Sequence, residues 1–325
     1  MHRYSTLKEI HSGQNSKITL ARSKSSNGLV VLKFTKVEEL KSNETDSLME
    51  LNQHPNIARF VTLFCDLNEL VIVMEYYDNG DLHHFIESFG PLCETDAHKY
   101  FTQTAEALGF AHSHRIAHRD VKLENIFLDS QKNVKLGDWG LSFRFDPLKH
   151  ITDSCGSPHF AAPEVWAKLG YIGPELDSWG LGICLYGMLS GTLPFMDKDV
   201  VKLKQKIISA KIKRHRSISS KPWDLIKQLL NQDRNQRLSV ERSLFHPWIQ
   251  SVHKRPRYTQ SEMTLSVDEQ FQTNILTSKR ITKLHSDTII HNPSNKFSNF
   301  FLKFRKTDGN KKKKEIATRF GNQDR

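Results

Sequence analysis

Cysteine is scarce and dispersed in this chain of 325 residues. The four cysteines are Cys65, Cys93, Cys155 and Cys184, and no two of them form a CxxC pair. This spacing argues against a disulfide framework or a zinc site, and it favours a reducing compartment. The longest apolar run, LGICLYGML at 181–189, is too short to cross a bilayer, and MHRYSTLKEI at the start lacks a signal-peptide core. We therefore expect no transmembrane segment and a location in the cytoplasm, the nucleus or both.

Acidic residues are outnumbered, but mainly in one part of the chain. The whole sequence has 47 Lys and Arg against 36 Asp and Glu, a net charge of +11. The stretch 251–325 holds 16 basic and 7 acidic residues, which leaves 31 against 29 in the rest. A body that binds nucleic acid through charge is usually basic itself, so we expect nucleic acid not to be a partner. An apolar content of 38% also excludes a wholly disordered or fibrous chain.

Short apolar and β-branched runs predict strands in the first 76 residues, and a helix is predicted between them at about 37–52. The pair His54–Pro55 ends that helix, because the residue before a proline resists helical geometry. After Gly80 the pattern changes to helices at about 95–114, 174–190, 222–231 and 241–249. A strand-rich front and a helical back predict an α+β protein of two lobes with a cleft between them.

Four motifs follow one another along these two halves. VVLK at 30–33 closes the third predicted strand, HRDVKLEN occupies 118–125, DWG occupies 138–140 and APE occupies 162–164. Their order and spacing resemble the protein kinase family over about residues 4–250. The resemblance implies the two-lobed kinase fold at 1–250, with an N-lobe at about 1–76 and a C-lobe at about 77–250. It also implies transfer of the ATP γ-phosphate, with Mg²⁺, to Ser or Thr of protein substrates.

The resemblance assigns a role to each polar residue of these motifs. Asp120 would accept the proton of the substrate hydroxyl, Lys122 would steady the transferred phosphate, and Lys33 would hold the α- and β-phosphates. Asn125 and Asp138 would supply oxygen ligands to magnesium. A lysine two residues after Asp120 resembles serine/threonine kinases rather than tyrosine kinases. Any one of these residues alone would be read as a surface charge, and only the ordered set points to phosphoryl transfer.

The lysine of the third strand needs an acidic partner on the following helix. Helical register favours Glu44, which lies eleven residues before Pro55. The interval is one residue longer than is usual in the family, and LNQHPN at 51–56 is similar to an insertion in some fungal kinases. Glu38, Glu39 and Glu50 are the alternatives for this role, or are solvated helix charges.

The expected ATP pocket departs from the family pattern in three places. Family members carry GxGxxG where this chain has HSGQNS at 11–16, so that only Gly13 remains. Val31 stands where alanine is usual above adenine, and Trp139 replaces the phenylalanine of DFG as an aromatic plug against His118. These departures leave a second interpretation open, a kinase-fold scaffold with weak or no phosphoryl transfer. The other residues expected at the pocket are Ile10, Ile18, Met74, Glu75, Tyr76, Asp81 and Phe127.

Two acidic residues near the expected substrate groove predict a preference for basic substrates. Asp81 and Glu124 would face basic residues upstream of the phosphorylated Ser or Thr. Asp81 has an equally good alternative role as the N-cap of a helix that begins with LHHFI.

The segment SCGSPHFAAPE at 154–164 closely resembles the calmodulin-dependent and AMP-activated kinase group. In that group an activating phosphothreonine lies two residues before the cysteine, where this chain has Asp153. One hypothesis is that Asp153 supplies a permanent charge that pairs with Arg119. The alternative is that Thr152 or Ser154 is the phosphorylation site. The resemblance further implies that buried Asp177 holds the HRD backbone and that Arg237 pairs with Glu164.

The basic stretch 251–325 is typical of a largely flexible tail. Within it, four phenylalanines at helical spacing, flanked by lysine and arginine, predict an amphipathic helix at about 295–306. Such a helix could dock on an anionic membrane or in the groove of a partner protein, or pack on its own kinase domain. The alternative is that no helix forms in free solution. The lysine run at 311–314 and KRPR at 254–257 are candidate nuclear-import signals or solubilising charge.

Overall fold

The computed structural model describes residues 3–12, 16–36, 43–66 and 69–251. The predicted role of Gly13 and the predicted helix at 295–306 lie outside these residues. Residues 1–256 form one compact unit of the chain. In the described part of the chain, no helix is both long and apolar enough to cross a membrane.

Five antiparallel strands form the N-terminal sheet in the spatial order β1-β2-β3-β5-β4. The strands are β1 (Tyr4–Ser12), β2 (Ser16–Ser23), β3 (Leu29–Lys36), β4 (Phe60–Asp66) and β5 (Glu69–Glu75). Burial alternates along β3, so that Val30, Leu32 and Phe34 enter a small apolar core. Because side chains of a strand alternate between the two faces, Lys33 points away from that core. The hydrophobic alternation of β3 therefore fixes the side on which the lysine lies.

Helix α1 (Asn43–Leu51) packs beside this sheet. Leu48 and Leu51, one helical turn apart, are buried. Their burial sets the rotation of the helix, which places Glu44 on the side that faces β3. The helix ends three residues before His54, as expected from the proline that follows.

The C-terminal part of the unit is helical. Its helices are α2 (Leu82–Phe89), α3 (Glu94–Ser113), α4 (Pro163–Trp166), α5 (Pro174–Ser190), α6 (Val200–Ser209), α7 (Ser220–Leu229), α8 (Val240–Ser243) and α9 (Pro247–Ser251). Helix α5 is buried along its whole length after Glu175, which explains why the residues after Glu175 are mainly apolar on all sides of the helix, with Asp177, Ser178 and Ser190 as the exceptions. Short strands carry the loops that face the cleft: β6 (Ile116–Ala117), β7 (Ile126–Leu128), β8 (Val134–Leu136) and β9 (Phe143–Arg144).

One predicted helix is wrong, because the structure has two short helices in its place. The stretch predicted as a single helix at 241–249 is two short helices, α8 and α9. Pro247 has no backbone N–H to donate and restricts the residue before it, so the first helix stops and a second begins at the proline.

Candidate active site

The backbone of the loop at 118–125 is hydrogen-bonded to the buried carboxylate of Asp177 in α5. Asp177 accepts hydrogen bonds from the backbone N–H of His118 at 2.8 Å and of Arg119 at 2.7 Å. Arg119 has a φ of 63°, in the left-handed region that a non-glycine residue adopts only at a cost. The two hydrogen bonds hold this strained turn, and the turn presents the next residue, Asp120, to the cleft.

Asp120 is fixed by three side chains from two segments. Lys122 Nζ donates to Asp120 Oδ2 at 2.7 Å, while the N–H and hydroxyl of Ser157 both donate to Asp120 Oδ1 at 2.9 Å. Asn125 Nδ2 donates to the backbone carbonyl of Asp120 at 2.9 Å. Lys122 also donates to Ser157 Oγ at 3.0 Å, which closes a ring of polar contacts. The carboxylate therefore has one orientation, and it remains buried.

Across the cleft, three charged residues from distant parts of the chain converge. Lys33 Nζ lies 2.5 Å from Glu44 Oε1 and 3.0 Å from Asp138 Oδ1. Asp138 has a left-handed φ of 52° and opens a single 3-10 turn, Trp139–Leu141. A Cβ on Gly140 would lie 3.3 to 3.5 Å from Asp138, Glu44 and Lys33, so glycine leaves room for this cluster. The sequence-based choice of Glu44 over Glu50 agrees with this placement, because Glu50 instead pairs with Arg144.

The electrostatics of this cluster keep its members charged. Burial opposes the charged form of Lys33, but Asp138 and Glu44 outweigh it and raise the pKa of the amine above its usual value. Lys33, with Lys122 beyond it, holds the pKa of Asp138 well below its usual range. Burial likewise opposes the charge on Lys122, and nearby Asp120 raises its pKa overall. At neutral pH the cleft thus presents two ammonium groups and an ionised aspartate.

Trp139, which follows Asp138, packs against His118 in the interior. Its side chain is fully buried, its ring centroid lies 4.6 Å from that of His118, and its Nε1 donates to the carbonyl of Leu136 at 3.2 Å. His118 Nε2 donates in turn to the carbonyl of Gly137 at 2.9 Å. The larger indole is therefore accommodated without leaving its ring nitrogen unpaired.

The donor set fits a magnesium ion that is shared with phosphate. The side chain of Asp138 is 47% exposed to the cleft. Asn125 uses its amide nitrogen on Asp120, and among the described residues its amide oxygen accepts no hydrogen bond. No group of three or more His, Cys, Asp or Glu in the described residues could hold a metal alone. Two oxygen donors suit Mg²⁺ if phosphate and water complete its octahedral shell.

The residues expected around adenine are brought together only in part. Val31 of β3 pairs directly with Met74 of β5, and Tyr76 follows the end of that strand. Phe127 lies in β7, where a Cβ at Gly137 would meet its ring at 2.8 Å. Glu75, the last residue of β5, accepts a long hydrogen bond from Tyr77 at 3.4 Å.

Three other residues expected near the nucleotide lie on neighbouring elements: Ile18 pairs with Lys33 of β3, Ile10 is in β1, and Asp81 forms a β-bridge with Phe127. Ile18 is half-buried in β2, whereas Ile10 of β1 is 51% exposed. Asp81 is the N-cap of α2 and accepts from the N–H of His84 at 2.8 Å, which is its alternative role and is compatible with a contact to substrate. The glycine-loop residue Gly13 lies outside the described residues.

Two further contacts hold the activation segment, the stretch 138–164. Arg237 makes a bidentate ion pair with Glu164, at 2.7 and 2.9 Å, with both side chains almost completely buried. Arg119 Nη1 lies 3.5 Å from Asp153 Oδ2, which is a long contact for an ion pair. The Asp153 side chain is 65% exposed. Thr152 and Ser154, the alternative phosphorylation sites, are also exposed.

Comparison with known proteins identifies the family. The sequence matches the protein kinase domain over residues 4–249. The chain belongs to the protein kinase family.

Three relatives of this kinase show its place within the family. It is 37% identical over 259 residues to NUAK family SNF1-like kinase 2 of Rattus norvegicus, covering 76% of this chain and 40% of that protein. It is 33% identical to the probable serine/threonine-protein kinase KIN1 homolog of Encephalitozoon cuniculi, covering 77% and 47%. It is 32% identical to serine/threonine-protein kinase SIK1 of Rattus norvegicus, covering 76% and 33%. The kinase chain thus spans less than half the length of these relatives, and the similarity to SNF1-like kinases agrees with the predicted AMP-activated group.

Sequence reasoning missed two parts of the site of this kinase. Ser157 orients Asp120, and its place in SCGSPHF next to a glycine was the only signal available. His112 lies between two carboxylates: it donates to Asp177 Oδ2 and to Glu241 Oε1, each at 2.8 Å. Glu241 is 129 positions away in sequence, so no local pattern connects it to the loop.

Proposed function

We propose that this protein is an active serine/threonine kinase that transfers the γ-phosphoryl group of Mg·ATP to protein hydroxyls. The observation that carries the proposal is the paired Lys33–Glu44–Asp138 cluster facing an oriented Asp120. Phosphoryl transfer depends mainly on positioning and on charge stabilisation, and these residues supply both. The names of the relatives, which are serine/threonine kinases, support the same activity.

Each side chain has a distinct part in the proposed reaction. Lys33, held by Glu44, would bind α- and β-phosphate oxygens, and Asp120 would take the proton of the substrate hydroxyl on its carboxylate. Lys122 would bind the oxygens of the transferred group beside Asp120. Magnesium, held by Asp138 and Asn125, would neutralise charge on the phosphates.

The test compares phosphate incorporation by the wild-type protein and by the Asp120→Asn variant, which keeps the size of the side chain. We expect the variant to label a serine peptide at least about 10²-fold more slowly, because it cannot accept the proton. Mg·ATP should still raise the melting temperature of both proteins. If the wild type labels no faster than the variant while both bind Mg·ATP, the protein is a scaffold and the proposed activity is wrong.

We further propose that the substrates carry a basic residue before the phosphorylated Ser or Thr. Glu124 Oε2 is buried and has no hydrogen-bonding partner among the described residues. A buried carboxylate oxygen without a donor is unfavourable, and a substrate guanidinium would supply that donor. A peptide pair that differs only by Arg or Ala upstream of the serine tests this preference. Glu124→Gln should reduce the ratio of kcat/KM between the two peptides, and an unchanged ratio would exclude Glu124 from the recognition.

The acidic residue at 153 is proposed to support activity without phosphorylation. Because its ion pair with Arg119 is long and exposed, the effect should be modest. After phosphatase treatment, Asp153→Ala should lower kcat/KM by about two- to fivefold, with little change from Thr152→Ala or Ser154→Ala. If only the threonine or serine variant silences the enzyme, the built-in charge is not what activates it.

The location and the tail interactions stay predictions. Residues 252–325 lie outside the described residues, so docking on a partner protein or an anionic membrane rests on sequence alone. Microscopy of the tagged full chain, with and without Lys→Gln changes at 311–314, tests whether this run directs the protein to the nucleus. Equal nuclear fractions would remove the run as an import signal.

A further inference from the structure

A second cavity lies in the helical part of the unit, and it is formed by groups other than those named in the proposed reaction. Its volume is about 310 Å³, at the small end of the range for ligand pockets. Four regions meet around it: the turn between α3 and β6, the stretch after β9, the beginning of α5 and the loop between α7 and α8. We call it the Arg234 cavity. Its basic lining residues are Arg115, His150, Arg234 and Arg237.

Two of these guanidinium groups, those of Arg234 and Arg115, make no hydrogen bond and no ion pair with the described residues, although the exposed Arg115 interacts electrostatically with Asp146. Arg234 Nη1 is buried and makes no hydrogen bond. Among the described residues, no carboxylate lies within ion-pair distance of Arg234 or Arg115, although Arg115 lies over the ring of Phe145 at 5.9 Å. A buried N–H without an acceptor costs about 1–3 kcal/mol, so a native structure usually supplies one from a neighbour, from water or from a ligand.

Two further charged groups at the cavity, Arg237 and Glu175, are already occupied. Arg237 is saturated by Glu164 and by backbone carbonyls. The carboxylate of Glu175 accepts the N–H groups of Ile172 and Gly173 at 2.7 and 2.9 Å, so its charge is engaged at the start of α5. What remains available is donor capacity with positive charge on Arg234 and Arg115. Positively charged N–H donors at a cavity favour an anion as the ligand.

The shape and the remaining lining refine the chemistry of this anion. The cavity is larger than an inorganic phosphate needs, and Phe145, Pro147, Ile172 and Pro174 give it apolar walls. Arginine binds phosphate oxygens in a bidentate geometry, and two such groups suit a dianion. His150, which is exposed and makes no hydrogen bond in the described structure, offers a third N–H donor.

We propose that the Arg234 cavity binds a phosphomonoester, with its phosphate on Arg234 and Arg115 and its organic body against Phe145. The source of the group is either a small metabolite or a phosphorylated side chain of a protein. Both sources present the same phosphoryl dianion to the same two guanidiniums. This inference does not depend on the proposed kinase activity.

The experiment measures binding of phenyl phosphate to the full chain by calorimetry, with phenol and inorganic phosphate for comparison. Arg234→Gln and Arg115→Gln should each weaken binding by about tenfold or more, the effect expected on loss of one charged hydrogen bond. Arg216→Gln is the matched control, because Arg216 is exposed and does not line the cavity. Lys33→Met distinguishes binding in this cavity from binding in the nucleotide cleft. It should leave the affinity for phenyl phosphate unchanged.

Several outcomes would overturn the assignment. These are wild-type affinity in Arg234→Gln and Arg115→Gln, an equal loss in Arg216→Gln, or disappearance of binding in Lys33→Met. Inorganic phosphate bound as tightly as phenyl phosphate would show that the apolar walls contribute nothing, which also contradicts the proposal. A phosphoserine peptide provides the last arm. Binding of the peptide supports a protein source, and binding of phenyl phosphate without the peptide supports a metabolite.

Discussion

The stability of this protein should fall at alkaline pH through one buried histidine. His112 is enclosed, with 5% of its side chain exposed, between Asp177 on one ring nitrogen and Glu241 on the other. Burial disfavours the imidazolium, but the two carboxylate hydrogen bonds outweigh burial and raise the pKa of His112 to about 9. The imidazolium in turn holds the pKa of Glu241 at about 2.

The sign and size of the effect follow from proton linkage. The folded-state pKa lies above the unfolded value of about 6.5, so the stabilisation is fully present below pH 6.5 and is lost as pH rises through 9. A shift of this size corresponds to about 3 kcal/mol, a large fraction of the stability of a domain. The loss should also affect catalysis, because Asp177, the partner of His112, holds the backbone of His118 and Arg119.

Urea unfolding at pH 6 and pH 9.5 measures this contribution in the wild type and in His112→Gln. The wild type should lose about 3 kcal/mol more than the variant between the two values. His83→Gln, which removes an exposed histidine, is the matched control and should follow the wild type. Glu241→Gln should reduce the pH dependence in part, since Asp177 remains. Equal losses of unfolding free energy in the wild type and in His112→Gln would show that the pairing of His112 with Asp177 and Glu241 does not couple stability to pH.

Three more outcomes are expected. Arg237→Gln should cost about 3–5 kcal/mol in urea unfolding because it leaves the buried Glu164 unpaired, whereas replacing both residues by apolar ones should cost less. Gly180→Ala should lower both melting temperature and kcat, since the new Cβ would lie 2.7 Å from the carbonyl of Val121 in the HRD loop; an unchanged kcat would show that the loop adapts. Glu44→Gln should lower kcat more than it raises the KM for ATP, because the β3 lysine loses its orienting charge; an increase in KM alone would limit Glu44 to nucleotide binding.

Much of the fold followed from local patterns. Helix α5 was predicted at 174–190 and is Pro174–Ser190 in the structure, because a mainly apolar stretch that begins with proline and is followed by a glycine favours a helix with these ends. The split of the last predicted helix at Pro247 shows the limit of such patterns, since the apolar spacing stays helical across a proline whose missing N–H interrupts the helix.

The sequence alone determined which chemical groups this kinase possesses: an ordered set of lysine, aspartate and asparagine whose spacing is specific to the family. Only the tertiary structure decided which of them meet. Lys33 and Asp138 are 105 positions apart, and His112 and Glu241 are 129 apart. The unpartnered Arg234 is equally invisible in the sequence, because its isolation depends on what packs around it. Local propensity acts over a few residues, whereas ion pairs, burial and cavities depend on how distant segments pack together.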